Sequence, residues 1–307
     1  MTLAPSGQQF EIAFGSQRAA IVEVGGGIRA YSDGDRDVLE PFPREAMCDA
    51  AHGAVLIPWP NRIADGRYRF DGDEHRLALS EPARGNAIHG LLRWRPWQAA
   101  AQSERAVTIG TRVYPMTGYP FALAVSVSYE LSESGLTVVT SAQNIGERSC
   151  PYGTGQHPYL SPGDPAAIDG CELRLPAATR LTLEEERQVP VGREPVDGTR
   201  FDFRQARAIG DGSLDDAFTD LARDGDDRAH ARLVCADGAS VELWVDGGYR
   251  FLQAFTGDTL PPPRRRTAVA LEPMTCAPNA FQSGDGLIVL EPGETHTASW
   301  GVRLARG

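Results

Sequence analysis

Long apolar runs are missing from these 307 residues, and none approaches the roughly 20 consecutive apolar positions that a membrane-crossing helix needs. A basic excess is missing too. Lys and Arg number 30 against 41 Asp and Glu, a net charge of −11, whereas a nucleic-acid partner calls for a basic face. The expectation is a soluble protein with neither nucleic acid nor membrane as partner, suited to a neutral small molecule. The only dense basic run, Arg264-Arg265-Arg266 behind Pro261-Pro262-Pro263, reads as a solvated loop. Cysteine is sparse. Cys48, Cys150, Cys171, Cys235 and Cys276 are odd in number, lie far apart, and show no CxxC or Cys-His spacing. Neither a zinc site nor a disulfide framework is implied. Residues 1–9 lack the basic start and apolar core of a secretory signal, so reduced thiols and a cytoplasmic location are expected.

Several familiar motifs are absent as well. Gly25-Gly26-Gly27 lacks the GxGxxG spacing and a following helix, and reads as a hairpin turn. There is no GxSxG elbow for a nucleophilic serine and no HExxH for zinc. A zinc set drawn from His52, His89 and His157 has no close pair to support it, so no metal and no cofactor are expected.

What the chain does contain is punctuation. Its 33 Gly and 22 Pro are spread without a period, which indicates many tight turns. Between them run short alternating segments. Phe10, Ile12 and Phe14 share one side of the first, and Arg67 to Phe70 is bracketed by Asp65-Gly66 and Asp71-Gly72. Val107 to Val113, Ala122 to Leu131 and Leu136 to Gln143 follow, the last two joined by Ser132-Glu133-Ser134-Gly135. Further strands are expected at 231–236, 240–245, 251–256, 269–273, 287–290 and 297–304. Ala177 to Gln188, bounded by Pro176 and Pro190, is expected to be irregular or helical. About fifteen strands and hardly any helix indicate an all-β protein, a large antiparallel β-sandwich. No linker or compositional step divides it, so residues 1–307 are expected to form one domain.

Three places hold a chemically capable side chain against a proline or glycine at a strand end: His89-Gly90, His157-Pro158 and Glu272-Pro273. A general acid–base pair needs two groups tunable toward neutrality and aimed at one substrate. His begins near that value, and Glu272, after the apolar Val269-Ala270-Leu271, can be raised by desolvation. The prolines around Trp59 leave Asn61 and Arg62 on a rigid loop. There the arginine either forks onto a carboxylate or hydroxyls or makes a structural salt bridge. His89, Trp94 and Trp97 read either as core packing or as lining of a wet pocket. Asp215 and Asp216 are either solvated or grip hydroxyls.

Taken in order, several motifs resemble the aldose 1-epimerase (mutarotase) family over roughly residues 55–281. They are Asn61-Arg62-Ile63 with Gly66 and Phe70-Asp71-Gly72, His89-Gly90, His157-Pro158-Tyr159, Asp215 with Phe218, and Glu272-Pro273 near Pro278-Asn279-Ala280-Phe281. The resemblance implies a β-supersandwich that interconverts the anomers of a free sugar without a cofactor; the chain is expected to be a monomer or homodimer. It implies Glu272 as base for the C1 hydroxyl and His157 as acid for the ring oxygen. Arg62, His89 and Asp215 would hold hydroxyls, with Asn61 and Gln156 as further substrate contacts. Gln156-His157-Pro158 and Glu272-Pro273-Met274-Thr275 depart from the galactose-type pattern. They look closer to a bacterial branch that includes mutarotases for sulfonated sugars. Competing readings are a non-catalytic carbohydrate-binding or sensing protein of the same fold, and an epimerase-like protein for phosphorylated or sulfonated sugars. In the latter, Arg62 with Arg93 or Arg95 would meet the anion.

Overall fold

The computed structural model describes residues 4–161, 163, 168–235 and 237–305. Among them the chain is almost wholly extended; a single helical turn, Ala280–Ser283, and three short 3-10 turns are the exceptions. Two antiparallel sheets of twelve and nine strands carry the fold, accompanied by three two-stranded ribbons. The all-β expectation holds. Strands outnumber the expected fifteen because many are only two or three residues long, too short to leave a period in the sequence.

The smaller sheet is centred on Leu123–Ser132, Gly135–Asn144 and Thr295–Ala305. Along its first central strand Leu123, Val125, Val127, Tyr129 and Leu131 are buried while the residues between them keep partial exposure. That is the period of two expected of a half-buried strand. The larger sheet opens with the meander Gln9–Phe14, Gln17–Val22, Ile28–Asp33 and Arg36–Leu39, with the glycine triplet making its second connection. It continues through Tyr159–Leu160, Val269–Met274, Phe251–Phe255, Asp215–Leu221, Ala177–Leu183 and Pro190–Pro195. The segment expected to be irregular or helical is thus a strand over Ala177–Leu183, paired on both sides. Pairing with Asp215–Leu221 and Pro190–Pro195 overrides a weak local signal.

Between the sheets lies an apolar core to which Val127, Tyr129, Val138 and Trp300 contribute from one side and Ile21, Tyr31, Leu252 and Leu271 from the other. Each such side chain, fully buried, contributes about 1.5–3 kcal/mol. The outer face of the larger sheet is covered as well. Phe251, Met274, Leu181 and Ala217 form one apolar patch there, and Tyr159, Leu260, Ala268 and Ala270 form another. All six residues of Val269–Met274 are therefore buried, and Glu272 stands on the outer face between the two patches. Among the described residues no helix is long and apolar enough to cross a membrane.

Candidate active site

The position of His157 follows from strand register. Gly155 pairs with Met274 and Tyr159 with Ala270, both against Val269–Met274. The same register carried across the gap sets His157 opposite Glu272. The ladder breaks between these points because Pro158 and Pro273 each lack the N–H it would use. His157 spends its own backbone groups on the other side: its N–H donates to Ala54 at 3.2 Å and its carbonyl accepts from Gly53 at 2.8 Å. It is thus a non-hydrogen-bonded cross-strand position, the kind that brings side chains closest. His157 Nε2 and Glu272 Oε1 lie 3.2 Å apart, both almost fully buried.

The row continues across the sheet. Glu272 is directly opposite Gln253, and Gln253 Nε2 donates to Asp215 Oδ1 at 2.7 Å. Asp215 lines the cavity, whereas Asp216, turned to the opposite face, pairs with Arg180 at 2.7 Å. Asp215, named with Phe218 in the resemblance, is thus the aspartate that faces the cavity.

Two loops wall the cavity above this row. Arg62 begins the ribbon strand Arg62–Ala64, paired with Asn86–Ile88, which delivers His89 beside it. Asn61 and His89 both adopt left-handed backbones, with φ of 53° and 62°, and the His89 N–H donates to the Asn61 carbonyl at 2.9 Å. Such conformations cost non-glycine residues on the order of 1–2 kcal/mol each and gather at functional sites. Gly90 follows with φ of 70°, and a Cβ there would meet the Ile57 carbonyl at 2.1 Å. Only glycine lets this turn close. Arg62 is forked by Glu81, with Nε to Oε2 at 2.8 Å and Nη2 to Oε1 at 3.0 Å. Its two readings from the sequence therefore coincide: it forms a structural salt bridge and also lines the cavity.

The cavity holds about 320 Å³ and is also lined by Arg84, Arg93, Tyr159 and Leu260. The His157 ring stacks on Tyr159 at 5.0 Å, and the His52 ring stacks on the same tyrosine at 4.5 Å. His89 meets His157 edge-on at 5.5 Å. Burial pushes Glu272 well above the carboxylate range, the Asp215 charge adding to it. Burial also pulls His157 down to about 3, helped by His52. His89 is lowered by burial and by the neighbouring His157, and burial raises Asp215. Among the described residues, Glu272 Oε2, His157 Nδ1 and His89 Nδ1 have no hydrogen-bond partner. Two imidazoles and a carboxylate also form a donor set that a divalent ion accepts, and those of His89, His157 and Glu272 lie within 4.8 Å of one another.

Not every expected contact reaches the cavity. Gln156, adjacent to His157 on an extended backbone, points to the opposite face. Its Nε2 donates to the Gly53 carbonyl and the Tyr129 hydroxyl, each at 3.2 Å, and its Oε1 accepts from Trp300 Nε1 at 3.2 Å. It ties the two sheets together. Trp97 is buried in the core and Trp94 is exposed, so neither lines the cavity. Nor is the Arg264 run a free loop: Arg264 contacts Asp49 and His52, and Arg266 bonds Asp169 at 2.7 Å and Asp258 at 2.8 Å. Conversely, Gln253 and Glu81 carry no role in the sequence reading, and Tyr159 appears there only as part of the motif after His157. A lone glutamine in the apolar run 251–256 was the available sign for the first.

Known proteins resemble this chain over most of its length. The aldose 1-epimerase family matches residues 8–303. An Escherichia coli (strain K12) protein named YihR, described as uncharacterized, is 37% identical over 298 residues, covering 95% of this chain and 91% of its own. The aldose 1-epimerase of the same organism is 30% identical over 214 residues, 68% of this chain and 61% of that protein. Among solved structures, a GalM/aldose epimerase homologue from C. elegans has a TM-score of 0.87 at 16% identity, covering 97% of this chain and 99% of its own. This last likeness concerns the fold. The chain belongs to the aldose 1-epimerase family.

Proposed function

We propose that the protein interconverts the α and β anomers of a free aldose by acid–base ring opening and reclosure. The observation that carries this reading is the buried His157–Glu272 pair, 3.2 Å apart on the floor of a polar cavity. Burial disfavours a lone charge on either group, so the pair is favoured as a net-neutral unit holding one mobile proton. A protonated imidazole beside a carboxylate is one arrangement of that proton, and it is the reactive one. The Glu272 carboxylate takes the proton from the C1 hydroxyl while the C1–ring-oxygen bond breaks and that oxygen receives a proton from His157. Rotation about C1–C2 turns the other face of the aldehyde toward the former ring oxygen. Reclosure returns both protons, leaving the pair as it began. Arg62, His89, Asn61 and Asp215 hold the remaining hydroxyls, and Gln253 fixes Asp215.

One feature favours an anionic sugar. Arg93 lines the cavity, half-buried, with no carboxylate in salt-bridge range among the described residues, and it leans on the Trp94 ring at 5.0 Å. A cavity-facing cation of this kind suits a sulfonate or phosphate group.

The test is NMR exchange or polarimetry on freshly dissolved α-glucose, α-galactose and a sulfonated or phosphorylated aldose. Equilibration faster than buffer for at least one of them is expected. If none is accelerated, the mutarotase reading fails for these sugars, and binding without turnover would leave a carbohydrate-binding protein. An Arg93→Ala variant should lose rate on the charged sugar only; equal losses on neutral sugars would remove the anion role.

A further inference from the structure

Away from the cavity, strand register brings together two cysteines that are 64 positions apart in the sequence. Glu172 pairs with Val234, Leu173 with Leu233 and Arg174 with Arg232. One step beyond the end of this ladder, Cys171 falls opposite Cys235. Backbone hydrogen bonds define what kind of pair this is. The Cys171 N–H donates to Ile168 and its carbonyl accepts from Ile209, both at 2.9 Å. The Cys235 N–H donates to Ala239 at 2.8 Å and its carbonyl accepts from Gly238 at 3.0 Å. All four groups are used away from the opposing strand, which makes this a non-hydrogen-bonded pair. Such pairs hold their Cα atoms about 4.5 Å apart, inside the roughly 4.4–6.8 Å that a disulfide spans. Leu173 and Leu233, two residues along on the same side, are both fully buried, so the two thiols also share the inner face. Both are free and buried.

Charge surrounds one of them. Arg36 pairs with the exposed Asp237 carboxylate and also reaches Cys235. The hydrogen bond from the Cys171 thiol, then Arg36, holds Cys235 below the ordinary thiol value, while Cys171 is raised. Burial pushes Cys48 and Cys150 up to about 11 and Cys276 up to about 12. Reactivity toward electrophiles follows the thiolate, so Cys235 is set apart from these three.

We propose that Cys171 and Cys235 are a modification site for hydroperoxides, closing to a cross-strand disulfide that staples Glu172–Arg174 to Ala229–Val234. The Cys235 thiolate attacks one peroxide oxygen; the O–O bond breaks, sulfenic acid forms and hydroxide leaves. The Cys171 thiol then attacks that sulfur, the S–S bond forms, the S–O bond breaks, and its proton leaves with the hydroxide as water. The hydroxide released in the first step takes up the proton that Cys235 lost on ionising, so two thiols are oxidised together by two electrons and one hydrogen peroxide becomes two waters. None of these residues lines the sugar cavity, so the inference stands apart from the proposed activity.

The experiment treats the native protein with hydrogen peroxide, alkylates it under denaturing conditions, and maps it by mass spectrometry without reduction. Two of the five thiols should disappear, and one cross-linked peptide pair should join residues 171 and 235. In Cys171→Ser, Cys235 should instead be caught by dimedone as a sulfenic acid. In Cys235→Ser, Cys171 should remain a thiol. The rate of sugar equilibration should be the same before and after oxidation. Cross-links involving Cys48, Cys150 or Cys276, uniform reaction of all five, or no reaction by Cys235 would each overturn the proposal. The mapping uses the unaltered chain, so it decides the matter even if a variant does not fold.

Discussion

His157 and Glu272 face each other as a non-hydrogen-bonded pair across two antiparallel strands whose ladder is broken by Pro158 and Pro273. The prolines thin out the backbone bonding at the point where the side chains meet. The sheet on either side stays paired and holds both groups in place. Replacing either end with a near-isosteric neutral group should therefore leave the fold intact and remove one proton carrier. Glu272→Gln and His157→Asn are each expected to lower kcat by at least ~10²-fold, the scale of a lost acid or base. Measured by NMR exchange, near-full activity in either variant would take that residue out of the mechanism.

The pH profile should be unusual for a histidine mechanism. A second proton on the pair must overcome the burial that holds His157 down to about 3. Removal of the one mobile proton must overcome the burial that raises Glu272. kcat/KM is thus expected to stay level as pH falls from neutral through 6.5, the ordinary value for histidine. Its alkaline limb should lie well above the usual carboxylate range. An acid limb centred near that ordinary histidine value would contradict this account of the pair.

Gln156 should behave as a structural residue despite its place beside His157. Gln156→Leu leaves the Trp300 N–H without its partner inside the sandwich and takes one of two donors from the Gly53 carbonyl, which keeps the Ile28 N–H, a cost on the order of 2 kcal/mol. Denaturant unfolding should show that loss while KM of the folded protein in the proposed reaction stays within about twofold. A large KM change at unchanged stability would return Gln156 to the substrate.

His52 offers a test of stability against pH. Burial, then the Arg264 charge, lowers it from 6.5 to about 3. A lowered folded-state value means that its contribution is fully present above 6.5 and is lost as pH falls toward 3. The slope is about 1.4 kcal/mol per pH unit for one group. Glu272, raised on folding, acts with the opposite sign above its ordinary value, so the comparison must isolate His52. Thermal unfolding of His52→Gln should fall less steeply between pH 6.5 and 4.5 than that of the parent. Identical slopes would rule the contribution out.

The sequence exposes the sandwich and the acid–base pair for different reasons. Alternation in Leu123–Ser132 is a local signal, and local signals survive in a single sequence. His157 and Glu272 announce themselves by chemistry, each set against a proline. Gln156 was misplaced although the rule that corrects it is also local: neighbours on a strand face opposite ways. Glu81 is beyond reach because its role depends on a partner 19 residues away; Gln253 leaves one local sign, a lone glutamine in an apolar run, but its partner lies 38 residues away. Ala177–Leu183 misled because its pairing with Asp215–Leu221 is itself non-local. The cysteine pair shares that cause, since spacing along the chain says nothing about strand register.

The strand Val269–Met274 is buried on both faces, while Arg93, Arg84 and Leu260 reach the same cavity from connecting segments. Chemistry and selectivity are thereby placed on parts of the molecule with very different tolerance for change. On the proposed reading, substitution of the rim retunes which sugar enters without disturbing His157 and Glu272 beneath it. A chain built this way can change what it accepts while keeping the proposed reaction.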